Sequence, residues 1–219
     1  MSERRAIPLN HRLNIAVFGS GRGSNFNAIL DAIKDGRIPG ARVCLVISNN
    51  STAGILEIAR ANSLPAIHLS QKQFADETAF VDAMLMQLHQ CKANLIVLAG
   101  YMKRLPSRVV QAYRYRVLNI HPALLPKFGG VGMYGMHVHE AVIAARERVS
   151  GATVHIVDEE YDNGPVVLQR TVPVSPDDTP DSLAAKVLQI EHAIYPEAIR
   201  MIAEGRVPVA GEQLAAHSL

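Results

Sequence analysis

The chain has 219 residues, of which 48% are hydrophobic and 19% charged. That is enough apolar material for one substantial core and too little charge for a disordered chain. A formal net charge of +2 gives no ground for expecting nucleic-acid or membrane-surface binding, and no apolar run reaches the roughly 18 residues of a transmembrane span.

Met1 to Arg12 is polar and basic without an apolar signal core and reads as a flexible leader. A single domain is expected over 13–207, with a tail of weak periodicity at 208–219. Leu13 to Phe18 is a short apolar strand that breaks at Gly19. Gly19-Ser20-Gly21-Arg22-Gly23-Ser24-Asn25 follows, and Phe26, Ile29, Leu30 and Ile33 then recur at helical spacing. Strand, glycine loop and helix leave unpaired backbone N–H groups at the positive end of a helix, which suits a phosphate. Ser24 or Asn25 is placed to cap that helix. The glycines match neither the dinucleotide fingerprint nor the Gly-Lys-Ser/Thr loop. The next strand, Arg42 to Ile47, ends in Ser48-Asn49-Asn50-Ser51 and lacks the acidic residue that holds an adenosine ribose. A smaller monophosphate fits better than NAD.

Thr52 to Asn62 is predicted helical, Pro65 to Leu69 a strand, and Phe74 to Gln90 a longer helix with Phe80, Met84, Leu85 and Leu88 inward. Met84 and Met86 both read as core. Asn94 to Ala99 is a continuous apolar run, typical of a strand covered on both faces. A further helix leads to Tyr115. Alternating strands and helices over the first 121 residues predict an α/β fold with a doubly wound, mostly parallel sheet.

Val117-Leu118-Asn119-Ile120-His121-Pro122 ends that series. Asn119 and His121 stand two apart, so an extended backbone points both to one face. Pro122 cannot donate to a sheet ladder, so the strand stops at His121. A polar pair at the carboxyl end of a parallel strand stands where open α/β sheets bind ligands. Lys127 to Met136 is a glycine-rich loop close to His121, and a helix is expected from about His137 to Glu147. Gly151 to Asp158 and Val166 to Val174 read as a late antiparallel strand pair joined through Glu159 to Pro165. Asp181 to Glu204 is a long helix, perturbed at Pro196.

The two cysteines, Cys44 and Cys91, show neither metal nor redox spacing and read as buried free thiols of a cytosolic protein. Nine histidines make a metal worth testing. His137 and His139 fall on different helical faces, however, and no His-Glu-x-x-His or cysteine cluster exists, so no metal is expected. No nucleophile elbow is present. Asp162 before Asn163-Gly164 is ordinary turn chemistry, or else a carboxylate that approaches His121 and raises its pKa.

Five segments together resemble the phosphoribosylglycinamide formyltransferase family. They are Gly19 to Asn25, Leu98 to Leu105, Asn119 to Pro126, Val154 to Pro165 and Glu191 to Pro196. The resemblance covers about Asn14 to Val207 and implies a Rossmann-like formyltransferase fold. It implies formyl transfer from 10-formyltetrahydrofolate, as co-substrate, to the amine of glycinamide ribonucleotide in purine synthesis. Asn119, His121 and Asp162 would then be catalytic, with a charged His121 stabilising an oxyanion. Gly23, Ser24 and Asn25 would cradle the phosphate, and Glu191 would bind the nucleotide. Met102, Lys103, Arg104, Leu105, Asn119 and Asp158 would line the folate pocket, with His137 and His155 flanking the site. The resemblance requires neither metal nor nicotinamide. It implies a cytoplasmic enzyme of small molecules, without nucleic acid or membrane, and leaves a homodimer open.

Two departures stand out. The loop at Lys127 to Met136 is longer than in the shortest family members, and Glu77 stands where many members carry an Arg at the outer folate site. Methionyl-tRNA formyltransferase normally adds a basic carboxyl-terminal domain. Formyltetrahydrofolate deformylase normally has a His where Pro122 stands. A non-catalytic phosphate-binding module would keep the glycine loop but would not need Asn119, His121 and Asp162 to converge.

Overall fold

The computed structural model describes residues 12–207; the leader, but for Arg12, and the tail expected from the sequence lie outside them. Seven strands form one sheet: β1 (Leu13–Phe18), β2 (Ala41–Ser48), β3 (Ala66–His68), β4 (Leu95–Leu98), β5 (Val117–His121), β6 (Val149–Ile156) and β7 (Val166–Pro173). Their spatial order is β3-β2-β1-β4-β5-β6-β7. The first five are parallel, as the alternating pattern predicts. β6 is antiparallel to β5 as well as to β7, so the direction of the sheet reverses one strand earlier than the hairpin alone required.

Because β1 is flanked by β2 on one side and β4 on the other, the chain winds outward in both directions from it. The crevice at such a switch point opens beyond the carboxyl ends of the strands. The apolar residues of β1 divide between the two sides: Ile15 and Val17 join one core cluster, Ala16 and Phe18 the other. The first cluster is covered by α1 (Ser24–Lys34), α2 (Gly54–Ala61), α5 (Met136–Ala144) and α6 (Pro180–Ala203). The second is covered by α3 (Glu77–Gln90) and α4 (Ser107–Ala112).

Local chemistry sets the helix bounds. Asp76 accepts from the Ala79 N–H and starts α3 three residues later than Phe74, behind a 3-10 turn at Gln71–Gln73. α4 is shorter than predicted: it starts after Pro106, and Tyr115 adopts a left-handed φ of 61° before β5. α6 begins with Thr179 and Ser182 in a reciprocal cap and Pro180 at its first turn. Pro196 does not end it, since the helix runs through to Ala203 with Pro196 buried. Tertiary packing holds the turn that lacks the Pro196 donor. Met84 is fully buried as expected, but Met86 is exposed, because two steps along a helix reach a different face.

Candidate active site

A cavity of about 680 Å³ opens at the carboxyl ends of β4 and β5. One wall is the turn after β4, from Gly100 to Leu105; a second is the loop from Asp158 to Asp162; a third is the glycine-rich stretch from Gly130 to Met136. Arg22, Asn25 and Glu191 line the end nearest α1. Asn119 and His121 face the cavity from β5, on the shared face that their spacing predicts.

Asp162 and His121 meet across the floor. Asp162 sits in the turn between β6 and β7 at a left-handed φ of 54°, a conformation Asp tolerates better than most residues. Its Oδ2 accepts from the Gly130 N–H at 3.0 Å and lies 3.6 Å from His121 Nδ1. That second separation is ion-pair range, beyond a direct hydrogen bond. His121 Nε2 donates to the Phe128 carbonyl at 2.7 Å. Both ring nitrogens thus face acceptors, which favours the imidazolium. Burial outweighs them: it lowers the His121 pKa below the ordinary value despite Asp162 and Phe128. The raised pKa expected from the sequence is therefore corrected. Asp162 shows the opposite balance. Burial works to raise it, but His155, His121 and the Gly130 N–H together hold it below the usual carboxylate range. Both shifts favour an ionised Asp162 beside a neutral His121.

His155 belongs to the same group. It faces Asn119 across β5 and β6. Its Nδ1 lies 3.1 Å from the Ile156 carbonyl, which can only accept, so Nδ1 carries the proton. Nε2 lies 3.1 Å from Asn119 Nδ2. Asp162 Oδ1 is 3.5 Å from the same nitrogen. His137, which the resemblance placed beside the site, is not part of the lining: it is exposed and lies 3.3 Å from Glu140. His139, two residues on and one helical face round, is the buried one that lines the cavity. Its Nδ1 has no hydrogen-bond partner among the described residues.

The glycine loop behaves differently from its prediction at two positions. Gly23 is the N-cap of α1, and neither Ser24 nor Asn25 makes a side-chain cap. Gly23 has φ 83°, and a Cβ there would come within 2.9 Å of Ile55 Cα, so both conformation and packing require glycine. Gly23 and Ser24 bring the open helix end to the cavity without being part of its lining, whereas Asn25 lines it. Asn25 Nδ2 donates to Glu191 Oε2 at 2.7 Å, and Asn25 Oδ1 has no partner. Burial raises Glu191 to about 7 despite that hydrogen bond.

Met102, Lys103, Arg104, Leu105 and Asp158 all line the cavity. Arg104 donates to the Glu159 carbonyl and lies 5.2 Å over the Tyr161 ring, joining the two walls. Glu77 is the first residue of α3 and is not part of the lining.

Two residues that the sequence did not single out hold the scaffold. Tyr195 OH, fully buried, donates toward the Leu98 and Leu118 carbonyls at 3.0 and 3.1 Å, tying β4 to β5 below the site. Thr153 Oγ1 donates to the Ala123 carbonyl and accepts from the Leu125 N–H, bracing the Pro122-to-Leu125 turn. Among the described residues no group of three or more His, Cys, Asp or Glu is arranged to hold a metal ion, and no helix is long and apolar enough to cross a membrane.

An open α/β sheet with an amide, an imidazole and a carboxylate converging on a cleft at its switch point defines a class of ligand-binding protein suited to stabilising an oxyanion. Comparison with known proteins narrows the class. Residues 13–199 match the Formyl transferase family, and the chain belongs to that family. It is 41% identical over 205 residues to a chloroplastic phosphoribosylglycinamide formyltransferase from Vigna unguiculata, covering 94% of this chain and 65% of that one. It is 39% identical over 193 residues to the phosphoribosylglycinamide formyltransferase of Haemophilus influenzae, covering 88% of each. The crystal structure of glycinamide ribonucleotide transformylase 1 from Symbiobacterium toebii superposes with a TM-score of 0.84 at 41% identity, covering 90% of both chains.

Proposed function

We propose that the protein transfers a formyl group from 10-formyltetrahydrofolate to the amine of 5-phosphoribosylglycinamide; similar relatives are named phosphoribosylglycinamide formyltransferases. The observation that carries this reading is the convergence of Asn119, His121 and Asp162 on one cavity that ends at the open amino end of α1. The amine attacks the formyl carbon and the carbonyl oxygen gains negative charge. Asn119 donates one amide N–H to it. His121 donates a hydrogen bond from the Nε2–H that now goes to Phe128, and its Nδ1, facing Asp162, takes up the proton that the attacking amine loses, which charges the ring. Collapse breaks the bond from the formyl carbon to the folate nitrogen, while the new amide bond remains. The amine loses one proton and the folate nitrogen gains one, passed through a water on Asp162.

The reading gives the ribonucleotide phosphate to the amides at Gly23, Ser24 and Asn25, where no acidic side chain opposes it in the first turn. Glu191 binds the nucleotide beyond Asn25. Met102, Lys103, Arg104, Leu105, Asn119 and Asp158 hold the folate. In this reading residues 13–207 act as one formyltransferase unit on small molecules in the cytoplasm, without metal, nucleic acid or membrane; a homodimer is left open.

The test is formyl transfer from 10-formyltetrahydrofolate with and without the ribonucleotide, in wild type, Asn119→Ala and His121→Ala. Ribonucleotide-dependent transfer is expected, falling on the order of 10²–10³-fold in each variant while the melting temperature holds. Formate release without the ribonucleotide would make the protein a deformylase. Ligand binding without turnover would make it a binding module.

A further inference from the structure

Cys44 and Cys91 are 47 residues apart in the chain, yet their Sγ atoms lie 3.2 Å apart. Both are free and half-buried, and neither lines the cavity. Two independent features bring them together. β2 runs beside β1 with Val43 opposite Ile15 and Leu45 opposite Ala16, so Cys44 is the extra residue of a bulge. A bulge re-aims the side chain it carries, and the Cys44 thiol reaches the Ile15 carbonyl at 3.4 Å, where the ladder breaks. Cys91 is the residue that closes α3, and its thiol reaches the Leu88 carbonyl at 3.3 Å. Both pack against the second core cluster. Among the described residues no third metal ligand joins them.

We propose that Cys44 and Cys91 form a site of reversible oxidation, closing to an intramolecular disulfide when a small-molecule disulfide supplies the oxidising equivalents. One protein thiolate attacks the reagent S–S bond, giving a mixed disulfide and one reagent thiol. The second cysteine attacks the protein sulfur of that bond and releases the other reagent thiol. In sum, two protein S–H bonds and one reagent S–S bond are lost; one protein S–S bond and two reagent S–H bonds are formed. Burial and the neighbouring thiol raise the Cys44 pKa, so Cys44 is protonated at neutral pH and exchange quickens as pH rises. The bond ties the middle of β2 to the end of α3 and encloses α2, β3 and α3. It constrains the unfolded chain and stabilises the folded one. It leaves the cavity, which neither cysteine lines, unaltered.

The test uses the full chain equilibrated with oxidised glutathione near pH 8, quenched in acid, alkylated, weighed intact and melted with and without dithiothreitol. The expected product is monomeric on a non-reducing gel and two hydrogens lighter. It has no alkylatable thiol, melts several degrees higher and reverts fully on reduction. Cys44→Ser and Cys91→Ser each lose the rise in melting temperature. Cys91→Ser lies at a helix end and leaves the bulge untouched, so it remains informative if Cys44→Ser fails to fold. Two alkylatable thiols after equilibration, stable glutathione adducts, or a disulfide-linked dimer would each overturn the proposal.

Discussion

Glu191 shows how one buried group couples binding to stability. Folded, its carboxyl keeps its proton to about pH 7; unfolded, it loses it near 4.5. Its contribution is therefore full below the unfolded value and is lost as pH rises through the folded one. Glu191→Gln cannot ionise. The variant should match wild type in stability near pH 4.5 and exceed it above pH 7, by up to about 3 kcal/mol at about 1.4 kcal/mol per unit. Urea unfolding at both ends of that range reads the difference, and an equal gap at both would refute it. His121 supplies a second test. Burial lowers its pKa and Asp162 works to raise it, so its NMR titration should fall below 6.5 and move lower still in Asp162→Asn. An unmoved midpoint would disconnect the pair. The shared face of Asn119 and His121 was legible, because strand period alone sets it. The sign of the His121 shift was not, because sequence spacing carries no measure of burial. His137 was named from the resemblance alone, and position within a helix start does not reveal that His139 is the one that meets the cavity.

The turn between β6 and β7 places Asp162, and its geometry depends on a glycine. A Cβ on Gly164 would come within 1.8 Å of the Ile156 carbonyl oxygen, a backbone atom with no room to yield. Gly164→Ala should push the two strands apart at that point, carry Asp162 away from His121 and lower both formyl transfer and melting temperature. Normal turnover in this variant would mean that the turn does not set the carboxylate. The Asn-Gly-Pro run announced a turn, but the close approach that demands glycine depends on which strand lies beneath it. The same limit hid the second antiparallel ladder. Period-2 alternation identified β6 as a strand, while its pairing with β5 rests on the long excursion through the loop and α5. The sequence placed that loop close to His121 and assigned it no contact with the catalytic trio. Instead its backbone supplies the Phe128 carbonyl to His121 and the Gly130 N–H to Asp162, contacts made by main-chain atoms that a glycine-rich sequence does not advertise. Cys44 and Cys91 were likewise read singly, since a bulge in β2 has no mark in the residues that form it.

At the scale of the molecule, both faces of one sheet are buried, and the same strands feed both cores. Phe18 of β1 belongs to the cluster under α3 and α4; Phe26 of α1 belongs to the cluster under α6. Both side chains are fully buried. Neither helical layer can leave without exposing strands that the other layer still covers, so the two cores should fail together. Phe18→Ala and Phe26→Ala should each cost about 3–5 kcal/mol through lost burial and the cavity left behind. In both variants far-UV dichroism, reporting backbone, and tyrosine near-UV dichroism, reporting packing, should move to a lower midpoint together. The chain contains six tyrosines and no tryptophan, so the near-UV signal comes from tyrosines such as Tyr113 in one cluster and Tyr195 in the other. If one variant gave two resolved transitions, with one midpoint left at the wild-type value, the layers would be separable. The cavity, whose walls come from loops anchored in both of them, would then have to be treated as a joint between two units.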